Sequence, residues 1–243
     1  MTFVKIVITQ FPAGMNKKER HNAQWLIAAY HALNDHFGNL HWWPGDSPLE
    51  VIVGAILTQN TAWQNVEKAI ANLKTAHLLS AEALLALPES DLAELIRPSG
   101  YYNVKARRLK SFFTFLQDCF HGKLDVMLGE ETRTLREKLL QVKGVGEETA
   151  DSMLLYAGGK PVFVVDAYTR RILMRHGVIR ERLAYGEIQR LFMEHLPHNA
   201  LLYNQYHALL VNTGKNYCKK KPRCQACPLN QLDELQVSDI YRQ

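Results

Sequence analysis

"QVKGVGEETADSMLLYA", residues 141–157, decides the fold. It reads as a helix end, a turn of the form hydrophobic-x-Gly-hydrophobic-Gly, and a second helix that runs into Gly158-Gly159. Glycine can take positive φ and leaves no Cβ between backbone and ligand. Two such residues in a turn aim backbone N–H groups at a phosphate, and the second helix adds its positive dipole end. A hairpin of this kind usually holds a nucleic-acid backbone. Glu147 and Glu148 follow the second glycine directly, where such a loop would be expected to carry positive charge. Their local explanation is the helix dipole, which favours carboxylates in a first turn by a few tenths to about 1 kcal/mol. The G-V-G turn alone is not specific, because many tight helical turns use glycine.

Outward from the hairpin, apolar residues recur with a helical period almost throughout. "AQWLIAAYHALNDHFG" reads as a helix closed by Gly38, and "PLEVIVGAILTQNTAWQNVEKAIANLK" as two helices around a polar junction. "SAEALLAL" and "ESDLAELIRPSG" each offer a serine N-cap and end at a breaker. Further helices follow in "NVKARRLKSFFTFLQDCFHG", "YGEIQRLFMEHL" and "ALLYNQYHALLVNTGK". Only "PVFVV", residues 161–165, resembles a strand, and one short run cannot build a sheet. The class is all-α.

"VFVVDAYTRRILMRHG" places Asp166 after an extended apolar run and directly before a helix, about 20 residues past the hairpin. The plain reading is an N-cap aspartate. The functional reading is a carboxylate held at a helix mouth, and capping would fix the geometry a catalyst needs.

The chain has 243 residues, 47% of them apolar, so a sizeable core can form and wholesale disorder is not expected. Its formal charge of +5 suits a polyanionic partner. No apolar run reaches the roughly 18–20 residues of a membrane span. The opening "MTFVKIVITQFPAGMNKKER" is too mixed for a signal peptide, and Met15 before "NKKER" looks like a start, so residues 1–14 read as a leader. The expected location is cytoplasmic. Of four cysteines, Cys218, Cys224 and Cys227 crowd into ten residues, a pattern that suggests metal rather than disulfides. Cys119, alone on an apolar helix, reads as core.

Together, "VKGVGEETADSMLLYA" and "VFVVDAYTRRIL" resemble the helix–hairpin–helix and Gly/Pro–Asp signature of the endonuclease III superfamily of DNA glycosylases. "GAILTQNTAWQNV" and "YHALLVNTGKNYC…PRCQACPL" resemble further family segments in the family's order, over roughly residues 20–233. The resemblance implies a two-lobed helix-hairpin-helix fold with a C-terminal cysteine loop. Residues 1–48 would pack with the C-terminal lobe, 49–157 would form the helical barrel ending in the hairpin, and 158–243 would form the C-terminal lobe. It implies a monomer that excises a damaged base from double-stranded DNA lying across the cleft. Bifunctional members carry a lysine nucleophile two residues past the second hairpin glycine. That position here is Glu148, and a carboxylate cannot form the imine. The expectation is a monofunctional glycosylase. Its rivals are an oxidised-pyrimidine glycosylase/AP lyase and a non-catalytic lesion-sensing protein.

Within this resemblance Asp166 is the catalytic carboxylate. Gln59 in "LTQNT" matches the residue that enters the DNA stack, and Val142, Gly144, Val145, Gly146 and Thr149 form the hairpin contact. Trp42, Trp43 and Pro44, with Trp63 about twenty residues on, are similar to the branch that excises 3-methyladenine, where aromatic residues sandwich the flipped base. A cationic alkylated purine suits electron-rich ring faces, by about 0.5–2 kcal/mol. Asn103, Lys105, Arg107 and Arg108 would either meet phosphates or form a solvated basic face. The loop Cys218-x5-Cys224-x2-Cys227-x5-Asp233 is one residue shorter in its first gap than the family's iron–sulfur loop, and Asp233 stands where the fourth cysteine would be. A [4Fe–4S] cluster completed by Asp233 or water is the favoured reading; a three-iron cluster, zinc, or free thiols are the alternatives. Lys219, Lys220, Lys221 and Arg223 in that loop would contact phosphate with or without metal.

Overall fold

The computed structural model describes residues 14–40, 42, 45–179 and 183–232. The leader reading for residues 1–13, and the roles expected of Trp43, Pro44 and Asp233, lie outside the described residues. Among the described residues there are twelve α-helices and no β-strand, so the all-α class holds. Residues 161–165 run extended without pairing into a sheet. No helix is long and apolar enough to cross a membrane. The chain divides into two compact units, Met1–Trp42 with Pro161–Gln243, and Trp43–Lys160.

The Trp43–Lys160 unit is organised around α2 (Pro48–Leu57), whose residues Glu50–Leu57 are all buried. Ser47 caps it through its hydroxyl and Pro48 occupies the first turn, where a missing N–H costs nothing. A helix buried on all sides needs neighbours on all sides, and α2 packs against α3 (Trp63–Thr75), α6 (Tyr102–Phe120) and α9 (Glu147–Ser152). The short helices α4 (Ala81–Ala86) and α5 (Glu89–Leu95) lie on α6. Ser80 caps α4 as expected, but α5 starts at Glu89 behind Pro88, and Ser90 falls inside its first turn. The buried stripe of α6 is Lys105, Ala106, Leu109, Phe112, Phe113, Leu116 and Phe120, the 3.6-residue period of one face. Cys119 falls off that stripe and is exposed, which corrects its reading as core.

α7 (Leu124–Gly129) and α8 (Thr132–Leu140) lead into the hairpin. Beyond it, α9 continues as a wider π turn over Met153–Ala157. The fully buried Asp151 of α9 meets Arg136 of α8 in a two-pronged ion pair at 2.7 and 3.0 Å, which braces the two hairpin helices. Glu147 lies 3.7 Å from the same guanidinium. The acids after the glycines therefore serve the hairpin's own packing and the helix dipole.

In the other unit, α1 (Lys17–Phe37) begins at an Asn16/Glu19 capping box and ends at Gly38, whose φ of 69° lets the chain turn away. It packs on α11 (Tyr185–His195) and α12 (Ala200–Asn216), and α12 also packs on α10 (Ala167–Arg175). Phe163 of the extended segment stacks on Phe192 at 3.8 Å, and the buried Tyr206 hydroxyl donates to the Leu26 carbonyl at 2.7 Å. Four consecutive buried residues, Val162–Val165, carry the chain to Asp166.

Candidate active site

Asp166 is the N-cap of α10. Its Oδ1 accepts the backbone N–H of Thr169 at 2.7 Å, the capping geometry expected from its place between an extended run and a helix. Only 11% of its side chain is exposed, and His207 Nε2 of α12 stands 3.8 Å from Oδ2. Burial pushes the His207 imidazole below its usual range, and Asp166 opposes that shift. The carboxylate thus has one oxygen held by the helix and the other facing a buried ring. Tyr168 locks the same turn: its ring lies so close on Gly214 that a Cβ there would stand 2.3 Å from Cδ1. The Arg171 guanidinium lies over that ring at 5.0 Å and donates to the Cys218 and Gly214 carbonyls. His207 had no local sequence signal, since it lies 41 residues from Asp166 on a helix whose periodicity marks it only as inward-facing.

The hairpin residues form one turn. Val145 N–H donates to the Val142 carbonyl at 3.0 Å, and both valine side chains are buried, so they anchor the turn and leave its backbone outward. Gly144 has φ +93°, a conformation that favours glycine. Gly146 differs from the expectation of two positive-φ glycines: its φ is −96°, and nothing lies within 4 Å of where a Cβ would be. Its value is an open surface at the first turn of α9.

Gln59 lies in the α2–α3 junction and reaches this hairpin. Its Nε2 donates to the Gly144 carbonyl at 3.1 Å and to Thr149 Oγ1 at 2.8 Å, while its Oε1 accepts from Arg108. The residue expected to enter DNA and the loop expected to hold DNA are therefore hydrogen-bonded to each other. The basic segment of α6 divides. Arg107 is exposed, Arg108 is committed to Gln59, and Lys105 is buried rather than solvated or phosphate-facing. Lys105 Nζ donates to the Leu57 carbonyl (2.7 Å), the Ser99 carbonyl (2.6 Å) and Thr61 Oγ1 (2.8 Å), and burial lowers its pKa to about 8, aided by the charge of Arg108. It thereby ties the Gln59 junction to the turn before α6. That turn presents Tyr101, which sequence reasoning missed. Tyr101 is 73% exposed at a φ of 47°, a strained position for a bulky side chain. The signal available was "SGYYN", an aromatic pair straight after a glycine.

Of the expected base-pocket residues, Trp42 belongs to the Met1–Trp42 unit and carries the Lys215 ammonium over its ring at 5.4 Å. Trp63 opens α3 in the other unit, with its ring against Gly54 and its indole N–H donating to Glu67 at 2.9 Å.

In the cysteine loop, Cys218, Cys224 and Cys227 line a cavity of about 110 Å³ with Ile172, Thr213 and Leu229. Arg175 reaches Cys218 Sγ at 3.3 Å and the Lys219 and Lys220 carbonyls at 2.6 and 3.3 Å, so α10 holds the loop directly. Among the described residues no three His, Cys, Asp or Glu side chains converge as a single metal ion requires. The three sulfurs line one cavity, and sulfur ligands suit either an iron–sulfur group or a zinc ion. Lys219, Lys220, Lys221 and Arg223 are exposed.

Residues 53–198 match the family described as HhH-GPD superfamily base excision DNA repair protein. The chain is 48% identical over 211 residues to a Methanocaldococcus jannaschii protein with the provisional name of DNA repair glycosylase, covering 86% of this chain and 96% of that one. It is 31% identical over 181 residues to endonuclease III of Thermotoga maritima, covering 74% and 79%. It superposes on the crystal structure of H. pylori 3-methyladenine DNA glycosylase (MagIII) bound to 1,N6-ethenoadenine with a TM-score of 0.68 and 31% identity, covering 80% of this chain and 97% of that one.

Proposed function

The chain belongs to the HhH-GPD superfamily of base excision DNA repair proteins and is a DNA N-glycosylase; from that premise we propose that it removes an alkylated purine such as 3-methyladenine by hydrolysis, without a lyase step. The observation that carries this reading is Asp166, capped into one orientation on a chain whose amine-nucleophile position holds Glu148. When the N-glycosidic bond breaks, its electron pair leaves with the base and positive charge develops on the sugar. A fixed carboxylate stabilises that charge, and accepts a proton from the water whose oxygen bonds the anomeric carbon. An alkylated purine already carries positive charge, so its departure needs little acid assistance.

Likeness to the H. pylori enzyme supports the alkylated-purine class. So does Trp42, whose ring face already holds a cation. The partner is double-stranded DNA bound by a monomer, in the cytoplasm at the nucleoid. The hairpin backbone and the exposed lysines of the cysteine loop take phosphates, Gln59 enters the stack, and the exposed Tyr101 ring supplies a second stacking surface. Cys218, Cys224 and Cys227 would hold three corners of an iron–sulfur cluster, with Asp233 as the fourth candidate. When bound, the cluster would tie the loop's cysteines to one another. The test is incubation with duplex DNA carrying 3-methyladenine: release of free base from an unbroken strand supports the proposal. Strand cleavage coupled to a borohydride-trapped adduct contradicts it.

A further inference from the structure

We propose that Arg108 is a positioning residue that acts through Gln59, holding the inserting amide against the phosphate-gripping hairpin. The inference rests on the reading of Gln59 as the side chain that enters the DNA stack.

Two independent contacts place Arg108 between these parts. Its stem crosses the hairpin where Gly144 has no side chain: a Cβ there would lie 2.3 Å from Cγ, 2.9 Å from Cδ and 3.1 Å from Nε of Arg108. Its Nη1 donates to Gln59 Oε1. Guanidinium is a donor only, so this bond fixes which end of the amide is oxygen. The other end follows: Nε2 points to the Gly144 carbonyl and to Thr149 Oγ1. The amide is thus held at both ends, by the hairpin and by the arginine that lies over the hairpin. A glutamine with three rotatable bonds would otherwise sample many rotamers, and fixing it in advance removes that cost from the insertion step. Arg108 thereby serves DNA recognition without itself meeting a phosphate.

The experiment is a double-mutant cycle read by binding, using a duplex that contains a tetrahydrofuran abasic analogue beside 2-aminopurine. The probe has no base to remove at the lesion, so the result is separate from whether the chain excises alkylated purines. Arg108→Met weakens binding and the fluorescence change about tenfold in the wild-type background, the order set by the freedom of one glutamine side chain. In the Gln59→Ala background the same change costs less than about twofold. The slope of affinity against salt stays as in wild type, whereas loss of a phosphate contact would lower it by about one. Arg108→Lys, which keeps a donor and a stem over Gly144, recovers most of the loss. Thermal unfolding checks that each variant is folded, and Arg108→Gln carries the cycle if Arg108→Met is not. Equal losses in both backgrounds, a reduced salt slope, or no loss in either background overturns the proposal.

Discussion

His207 Nε2 stands 3.8 Å from Oδ2 of Asp166, whose charge opposes the effect of burial on the imidazole. Burial is the larger influence on the imidazole and keeps its proton affinity below the usual range. The unfolded chain therefore binds a proton at His207 more readily than the folded one. Stability from this group is complete above about pH 6.5 and is lost as pH falls below it. Urea unfolding of wild type and His207→Gln between pH 8 and 5 should show wild type losing ground to the variant on the acid side. A difference that stays constant or grows toward acid contradicts the assignment.

Glu148 is exposed in the first turn of α9, two residues past Gly146. On the proposed reading position 148 is where bifunctional relatives carry their lysine, so Glu148→Lys supplies an amine there, at a cost of about 0.3–1 kcal/mol against the helix dipole. Borohydride should trap a covalent complex between this variant and DNA, and none with wild type. Trapping of wild type to the same extent would mean that another amine attacks.

Lys105 gives an alkaline prediction. Its folded pKa is lowered to about 8, against an ordinary value of 10.5, so between these pH values the unfolded state binds more protons and stability rises with pH. The wild-type minus Lys105→Met difference in unfolding free energy should grow from pH 8 to 10, with a slope of at most about 1.4 kcal/mol per pH unit. Over the same range the neutral amine can no longer donate to all three acceptors, so binding that depends on Gln59 should weaken. Falling stability alongside falling binding would contradict this separation.

The cysteine loop predicts its own cofactor. Protein purified without oxygen should contain iron and acid-labile sulfide, both lost in Cys224→Ala together with several degrees of thermal stability. Stoichiometric zinc without sulfide would contradict the cluster.

What could be read in advance was local chemistry. Gly144 at its turn and Asp166 at the mouth of α10 each depend on residues within a few positions in sequence, whereas the reading of Glu148 came from the family resemblance. The contacts that join the site were not legible. Arg108 meets Gln59 across 49 residues and Lys105 meets Leu57 across 48, and helical period alone marked Lys105 and Arg108 as one basic face. Packing split that face, burying Lys105 beneath carbonyls that needed a donor. Cys119 failed for the same reason at smaller scale, lying one position off the buried stripe of α6.

The most direct test of the central claim compares wild type with Asp166→Asn for release of 3-methyladenine from duplex DNA. Asparagine is as good an N-cap as aspartate and can still accept from Thr169, so the variant should fold and bind DNA. It lacks only the charge. Wild type should release the base and the variant should be slower by about 10²–10⁴-fold, the usual contribution of such a group. Release at equal rates by both proteins, or by neither, would contradict the account.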